Sequence, residues 1–82
     1  MKSVHAEVEK TRAHLRRCVE GSGLSLAEVV RRSRVPRSSL VRLLREDGAW
    51  LRADRMWAVL ESVGVQPRDF FRQLYFPDEV AG

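Results

Sequence analysis

Arginines are concentrated in the middle of this chain, where acidic residues are almost absent. The segment Leu24–Arg45, LSLAEVVRRSRVPRSSLVRLLR, holds six arginines and one acid, Glu28, for a net charge of +5. Residues 1–23 carry +2 and residues 46–82 carry −3, which together give the +4 of the whole chain. A guanidinium is planar and binds phosphate oxygens or the edge of guanine through two hydrogen bonds. The segment therefore predicts a surface for a polyanion, with double-stranded DNA as the first candidate and a merely solvated helix face as the alternative.

Other chemistry has little support in the sequence. His5 and His14 lie nine residues apart, and His14 with Cys18 offers two metal ligands, too few for a zinc site. There is no glycine-rich phosphate loop and no pair of carboxylates beside a nucleophile. Trp50 and Trp57 are more readily core or interface residues than base-stacking platforms. The sequence therefore predicts neither an enzyme nor a metal site or cofactor.

Length and composition favour a single globular domain over residues 1–82, with residues 1–10 as an N-terminal extension of the first helix and residues 76–82 as a C-terminal tail. Hydrophobic residues make up 44% of the chain, which is ordinary for a folded domain. The single cysteine, Cys18, excludes an intrachain disulfide. Without a signal peptide or an apolar run of about 20 residues, we expect a cytoplasmic protein with no membrane partner.

Hydrophobic periodicity predicts an all-α fold of five short helices. The first is expected from Val4 or Val8 to Glu20, ended by glycines. The second begins with a capping box of Ser25 and Glu28, and the third begins near Pro36. A turn is expected at Glu46–Ala49, a fourth helix over Ala53–Val63 and a fifth from Pro67. The expected core residues are Val8, Leu15, Cys18, Val19, Val29, Val30, Ser33, Leu40, Leu43, Leu44, Met56, Val59, Leu60, Val63, Phe70, Phe71 and Leu74.

The region from Leu15 to Leu74 resembles the helix-turn-helix proteins of the Cro and phage-repressor type, the XRE family. The shared pattern comprises Leu15-Arg16, Leu24-Ser25, Val29, Val35, Leu40, Leu43, Val63-Gly64-Val65 and Asp69-Phe70-Phe71. Three positions depart from it. Leu26 replaces the usual glutamine at the start of the second helix, Val30 replaces a small residue, and Arg34 replaces the usual glycine of the turn.

The resemblance implies a helix-turn-helix formed by the second and third helices, with the third helix in the major groove. The residues on the side of this helix opposite its leucines match the base-reading positions, namely Arg37, Ser38, Val41 and Arg42. The resemblance also implies phosphate contacts by Ser25, Arg34, Ser39 and Arg45.

The sequence thus predicts a sequence-specific DNA-binding regulator, most simply a repressor that acts as a homodimer. The expected dimer interface consists of Trp57, Phe71, Tyr75 and Phe76, and the N-terminal extension Met1–Lys10 is the competing surface. One alternative is the antitoxin of a toxin–antitoxin pair, because LVRLLREDG resembles the end of the recognition helix in antitoxins of this fold. Another is a helical protein-interaction module without DNA binding.

Overall fold

The computed structural model describes residues 2–45 and 52–78, and the side chains of residues 4–45 and 52–78. Within these ranges the chain forms five α-helices and no β-strand, so the predicted all-α fold of five helices is confirmed. The helices are α1 (Lys2–Gly21), α2 (Leu26–Ser33), α3 (Arg37–Arg45), α4 (Ala53–Ser62) and α5 (Pro67–Tyr75). Helix α1 packs against α3, α4 and α5, while α2 packs against α3 and α4.

The first helix is longer than the sequence predicts, because it begins at Lys2 and ends at Gly21. The N-terminal extension is therefore part of this helix. Glu7, in the N-terminal half of α1, accepts a hydrogen bond from Tyr75 of α5. This tertiary contact stabilises a segment of the helix that has little apolar periodicity of its own. The turn predicted at Glu46–Ala49, together with Trp50, lies outside the described residues.

Local signals account for the boundaries of the other helices. The Ser25 hydroxyl caps α2 by accepting a hydrogen bond from the Glu28 amide at 3.1 Å. Proline at Pro36 precedes α3, and its carbonyl accepts the first helical bond from Leu40. Helix α4 ends at Ser62, one residue before the predicted end, and is followed by Gly64 at a φ of +77°. Glycine suits that left-handed conformation, which side chains with a Cβ disfavour.

A single apolar core joins the helices. Its members are Leu15, Val19, Val29, Val35, Leu40, Leu43, Leu44, Met56, Val59, Leu60, Phe70 and Leu74. Burying each large side chain contributes roughly 1.5–3 kcal/mol, so this core holds the short helices that would not persist alone. The remaining predicted core residues are only partly buried, and they are Val8, Cys18, Val30, Ser33, Val63 and Phe71. A domain this small has too little interior to cover them fully.

Among the described residues, no helix combines the length and apolar character needed to cross a membrane.

Candidate nucleic-acid interface

Helix α3 turns its leucines into the core and its polar side chains outward. The predicted base-reading residues lie on this outer side, where Arg37, Ser38 and Arg42 are exposed and Val41 is partly buried. An α-helix with side chains is about 10–12 Å across and fits a major groove about 12 Å wide. The outer side of α3 thus carries donors that can reach base edges if the helix enters that groove.

Two of the predicted phosphate-binding residues lie before α3 and two lie within it. Ser25 is the exposed N-cap of α2, Arg34 lies in the connection between α2 and α3, and Arg45 is the exposed last residue of α3. Ser39, in contrast, is only partly exposed within the first turns of α3. Among the described residues, Arg34 and Arg45 have no acidic partner, so both guanidinium groups are available to an external anion.

Arg34 adopts a left-handed backbone conformation, with φ of 61° and ψ of 18°. Its amide donates to the Val30 carbonyl at 2.9 Å and so terminates α2. A residue with a Cβ pays roughly 1–2 kcal/mol for this conformation, which glycine would adopt without strain. Such strain is often retained where a side chain has a function. Here the residue with the strained backbone carries an exposed guanidinium.

Glu28, the one acid of Leu24–Arg45, is neutralised within its own helix. Its carboxylate accepts hydrogen bonds from Arg31 and from the Nε of Arg32 at 3.0 Å. These bonds from Arg31 and Arg32 lower the pKa of Glu28 to about 2. Only half of the predicted capping box therefore forms, because the Glu28 side chain binds the two arginines rather than the Ser25 amide. Its negative charge is offset before any polyanion approaches.

Two arginines of α1 bind the C-terminal end of α3, a feature that the sequence analysis missed. Arg12 is fully buried, and its Nη1 donates to the carbonyls of Leu43 at 2.6 Å and Arg42 at 3.3 Å. The Nε of Arg16 donates to the carbonyl of Leu44 at 2.7 Å. A signal was present in the sequence, since Arg12 lies three residues before the core residue Leu15 and thus on the core side of the helix.

Three of the four predicted dimer residues form a row of aromatic side chains across α4 and α5. The rings of Trp57 and Phe71 are 5.8 Å apart, and those of Phe71 and Tyr75 are stacked at 6.3 Å. Phe76, at the end of α5, has 58% of its surface exposed. We call these four residues the aromatic surface. Trp57 and Tyr75 are also nearly half exposed, so these side chains are available to a partner protein.

The N-terminal half of α1 adjoins the aromatic surface. The Tyr75 hydroxyl donates to Oε2 of Glu7 at 2.9 Å, and the Lys10 ammonium lies 5.0 Å from the centre of the Tyr75 ring. The bond to Glu7 raises the pKa of the Tyr75 phenol, because it favours the protonated donor. The two surfaces that compete for dimerisation in the sequence analysis are therefore adjacent.

His14 and Cys18 do not come together with further ligands. The His14 ring packs on Phe70, with the centroids 4.7 Å apart, and burial and the charge of Arg17 lower its pKa. Cys18 is a free, partly buried thiol whose pKa is raised by burial. No group of three or more His, Cys, Asp or Glu side chains with metal-binding geometry occurs within residues 4–45 and 52–78.

No protein-family model matches this chain, and neither a curated protein nor a solved structure matches it.

The candidate interface has the chemistry of an anion-binding surface, and the outer side of α3 carries side chains that could contact base edges. Guanidinium groups on α3 and on the connection before it can donate to phosphates, and Ser38 and Ser39 add hydroxyl donors. Arg37 and Arg42 have the reach and geometry for bidentate bonds to guanine, while Val41 can contact a thymine methyl group.

Proposed function

We propose that this protein is a sequence-specific double-stranded DNA-binding regulator of transcription, most simply a repressor, in which α2 and α3 act as a helix-turn-helix. The observation that carries the proposal is the exposed arginine surface of α2 and α3, whose only acid, Glu28, is already bound by Arg31 and Arg32. A surface with this excess of guanidinium groups binds phosphates and releases their counterions, which drives association with DNA.

The outer side of α3 supports reading in the major groove. Its first turn presents Arg37 and Ser38, and the next turn presents Val41 and Arg42. Side chains near the N-terminus of such a helix reach base edges when the helix enters the groove, while the preceding helix crosses the backbone. In this arrangement Arg37 and Arg42 specify bases, and Arg45 binds a phosphate at the far end of α3.

The same arrangement supports phosphate binding by the residues outside α3. Ser25 caps α2 with its hydroxyl, and the first amides of that helix lie beside it at the positive end of the helix dipole. The exposed Arg34 lies in the connection before α3, separated from it by Val35 and Pro36. Contacts of this kind set the register of the protein on the duplex and leave sequence selection to the base-reading residues.

We also propose that the protein acts as a homodimer. One recognition helix contacts only a few base pairs, whereas a two-fold pair reads two half-sites about 34–36 Å apart. The aromatic surface belongs to α4 and α5, and residues 46–82 carry a net charge of −3, so pairing there keeps the basic helices available to DNA.

A second candidate function is protein binding without DNA, and the exposed aromatic surface favours it. Trp57, Tyr75 and Phe76 are the residue types that anchor protein interfaces. A toxin bound at this surface would make the protein an antitoxin, and such a protein would retain DNA binding as well. The absence of DNA binding at low salt would leave the interaction module as the preferred function.

Selection of binding sites from a random double-stranded DNA pool tests the proposal. We expect repeated rounds to enrich a two-fold symmetric sequence whose half-sites contain guanines. Gel shifts at low salt with the enriched site and a scrambled site of equal composition then measure selectivity. A protein that binds neither duplex would contradict the proposal, and one that binds both equally would retain only its non-specific part.

A further inference from the structure

The buried guanidinium of Arg12 lies against the last turn of α3 and donates hydrogen bonds to its backbone carbonyls. The final four carbonyls of an α-helix have no intrahelical donor and form the negative end of the helix dipole. The last turn of α3 contains the carbonyls of Arg42, Leu43, Leu44 and Arg45. Arg12 and Arg16 bind the first three of them, so α1 provides the C-terminal cap of α3.

These bonds are directional, unlike the apolar contacts that hold the rest of α3. The leucines of α3 are buried in the core, but apolar burial is non-directional and permits small rotations of a short helix. The Arg12 bonds span 30 and 31 residues of sequence and tie the end of α3 to one place on α1. Arg12 is also 0% exposed, and its bond to the Leu43 carbonyl is buried, so solvent does not compete for that bond.

Base reading makes the orientation of α3 critical. The helix has nine residues and is about 13 Å long. A tilt of about 10° around one end moves the other end by about 2 Å, whereas hydrogen-bond distances vary over only about 0.5 Å. A helix with loose ends could still attract phosphates through its charge, but it would not hold Arg37 and Arg42 against particular base edges.

We propose that Arg12 is a positioning residue for DNA reading. By holding the C-terminal turn of α3 on α1, Arg12 sets the angle at which α3 enters the major groove, and it thereby determines sequence selectivity more than affinity. Arg16 supports the same cap through Leu44. This inference rests on the proposed function, because it assigns Arg12 a part in the reading of DNA that Arg12 does not touch.

The test compares Arg12→Met with a variant that is destabilised elsewhere. Methionine fills similar space but donates no hydrogen bond to the carbonyls. Val59→Ala removes packing from the core of α4 and leaves the cap of α3 in place. Both proteins are measured at a temperature where circular dichroism shows them folded. We expect Arg12→Met to lower the ratio of cognate to random DNA affinity about tenfold or more, with random affinity changed less than about threefold. Val59→Ala is expected to keep the wild-type ratio.

Two further variants keep the inference testable if Arg12→Met does not fold. Arg12→Lys restores a charged donor and is expected to recover part of the lost selectivity. Arg16→Met removes only the bond to Leu44 at a partly exposed position, and it takes the place of Arg12→Met if that protein does not fold. Folded cap variants that keep the full affinity ratio would overturn the inference.

Amide hydrogen exchange in the free protein separates this inference from the proposed function. We expect α3 amides to exchange faster in Arg12→Met than in Val59→Ala at equal global stability. If selection with the wild-type protein enriches no DNA sequence, both the proposed function and the reading role of Arg12 are rejected. In that case, faster exchange confined to α3 would still identify Arg12 as its cap, and equal exchange in the two variants would reject that as well.

Discussion

Tyr75 of α5 donates a hydrogen bond to Glu7 of α1 at 2.9 Å, across 68 residues of sequence. This bond places the N-terminal half of α1 at the edge of the aromatic surface. Trp57, Tyr75 and Phe76 are 43%, 45% and 58% exposed, which corresponds to roughly 300 Å² of surface. This area is well below the roughly 800 Å² that each partner contributes to a stable interface. The proposed homodimer would therefore also need neighbouring residues, and the N-terminal half of α1 lies beside this surface.

The first prediction concerns the dimer. Tyr75→Asp combined with Phe76→Asp should convert it to monomer, because two buried charges would oppose pairing. Removal of residues 1–7 should weaken the dimer as well, since it deletes Glu7 beside Tyr75. Light scattering at tens of micromolar measures both, with folding checked by circular dichroism. Gln66→Asp adds a negative charge at the N-cap of α5 and should leave the dimer intact. A folded Tyr75/Phe76 variant that stays dimeric would exclude this interface.

The second prediction is a steep dependence of DNA binding on salt. If a dimer neutralises about six to ten phosphates, its affinity should fall about 10³- to 10⁵-fold between about 50 and 200 mM salt. The physical reason is the release of condensed counterions by the arginines of Leu24–Arg45. Fluorescence anisotropy over a salt series gives the slope. An affinity that hardly changes over this range would argue against binding through phosphates.

The third prediction separates base reading from phosphate binding within α3. Arg37→Ala or Arg42→Ala should cost about 1–3 kcal/mol on the enriched site and relax selection at particular base pairs. Arg45→Ala should weaken enriched and random DNA alike. Arg72→Ala provides the matched control, because it removes the same charge from an exposed position on α5. If the Arg37 and Arg42 variants kept the wild-type ratio of affinities, α3 would not be the reading helix.

The fourth prediction uses the strained backbone of Arg34. Arg34→Gly should raise the free energy of unfolding by up to about 1 kcal/mol, because relief of the left-handed conformation exceeds the entropy that glycine adds to the unfolded chain. The same change should weaken binding to all DNA by removing a guanidinium. Arg34→Ala is the control, since it keeps the strain and loses the charge. Urea unfolding and DNA titrations report the two effects. A glycine variant with unchanged DNA affinity would remove Arg34 from the interface.

The fifth prediction concerns Glu28, which offsets Arg31 and Arg32. Glu28→Gln should increase affinity for random DNA about 2- to 10-fold at moderate salt, because each protomer gains a positive charge on α2. The pKa of about 2 keeps Glu28 ionised in any ordinary binding buffer, so the substitution removes a charge that is otherwise always present. Glu20→Gln makes the same charge change at an exposed site on α1 and should have a smaller effect. Equal gains in both variants would indicate a response to net charge alone.

Features that depend on neighbouring residues could be predicted from the sequence. Ser25 caps α2 and the leucine spacing orients α3, both as predicted. Gly64 follows α4 in the left-handed conformation that glycine adopts readily. The reading and phosphate roles of the arginines stay predictions. The positive φ at Arg34 could also be anticipated, because the helix-turn-helix proteins that the sequence resembles carry glycine at this turn position. Such signals are readable because capping bonds and helix periodicity act over a few residues.

The contacts that α1 makes with α3 and α5 could not be predicted from the sequence, because they depend on how the helices pack. A buried arginine is uncommon, and a sequence places such a residue at the surface by default. Arg12 is buried because the chain brings the carbonyls of Arg42 and Leu43 to its guanidinium from about thirty residues away. Glu7 meets Tyr75 in the same way, through the packing of α1 on α5. Donor and acceptor in these bonds are distant in sequence, and no local pattern pairs them before the core has brought the helices together.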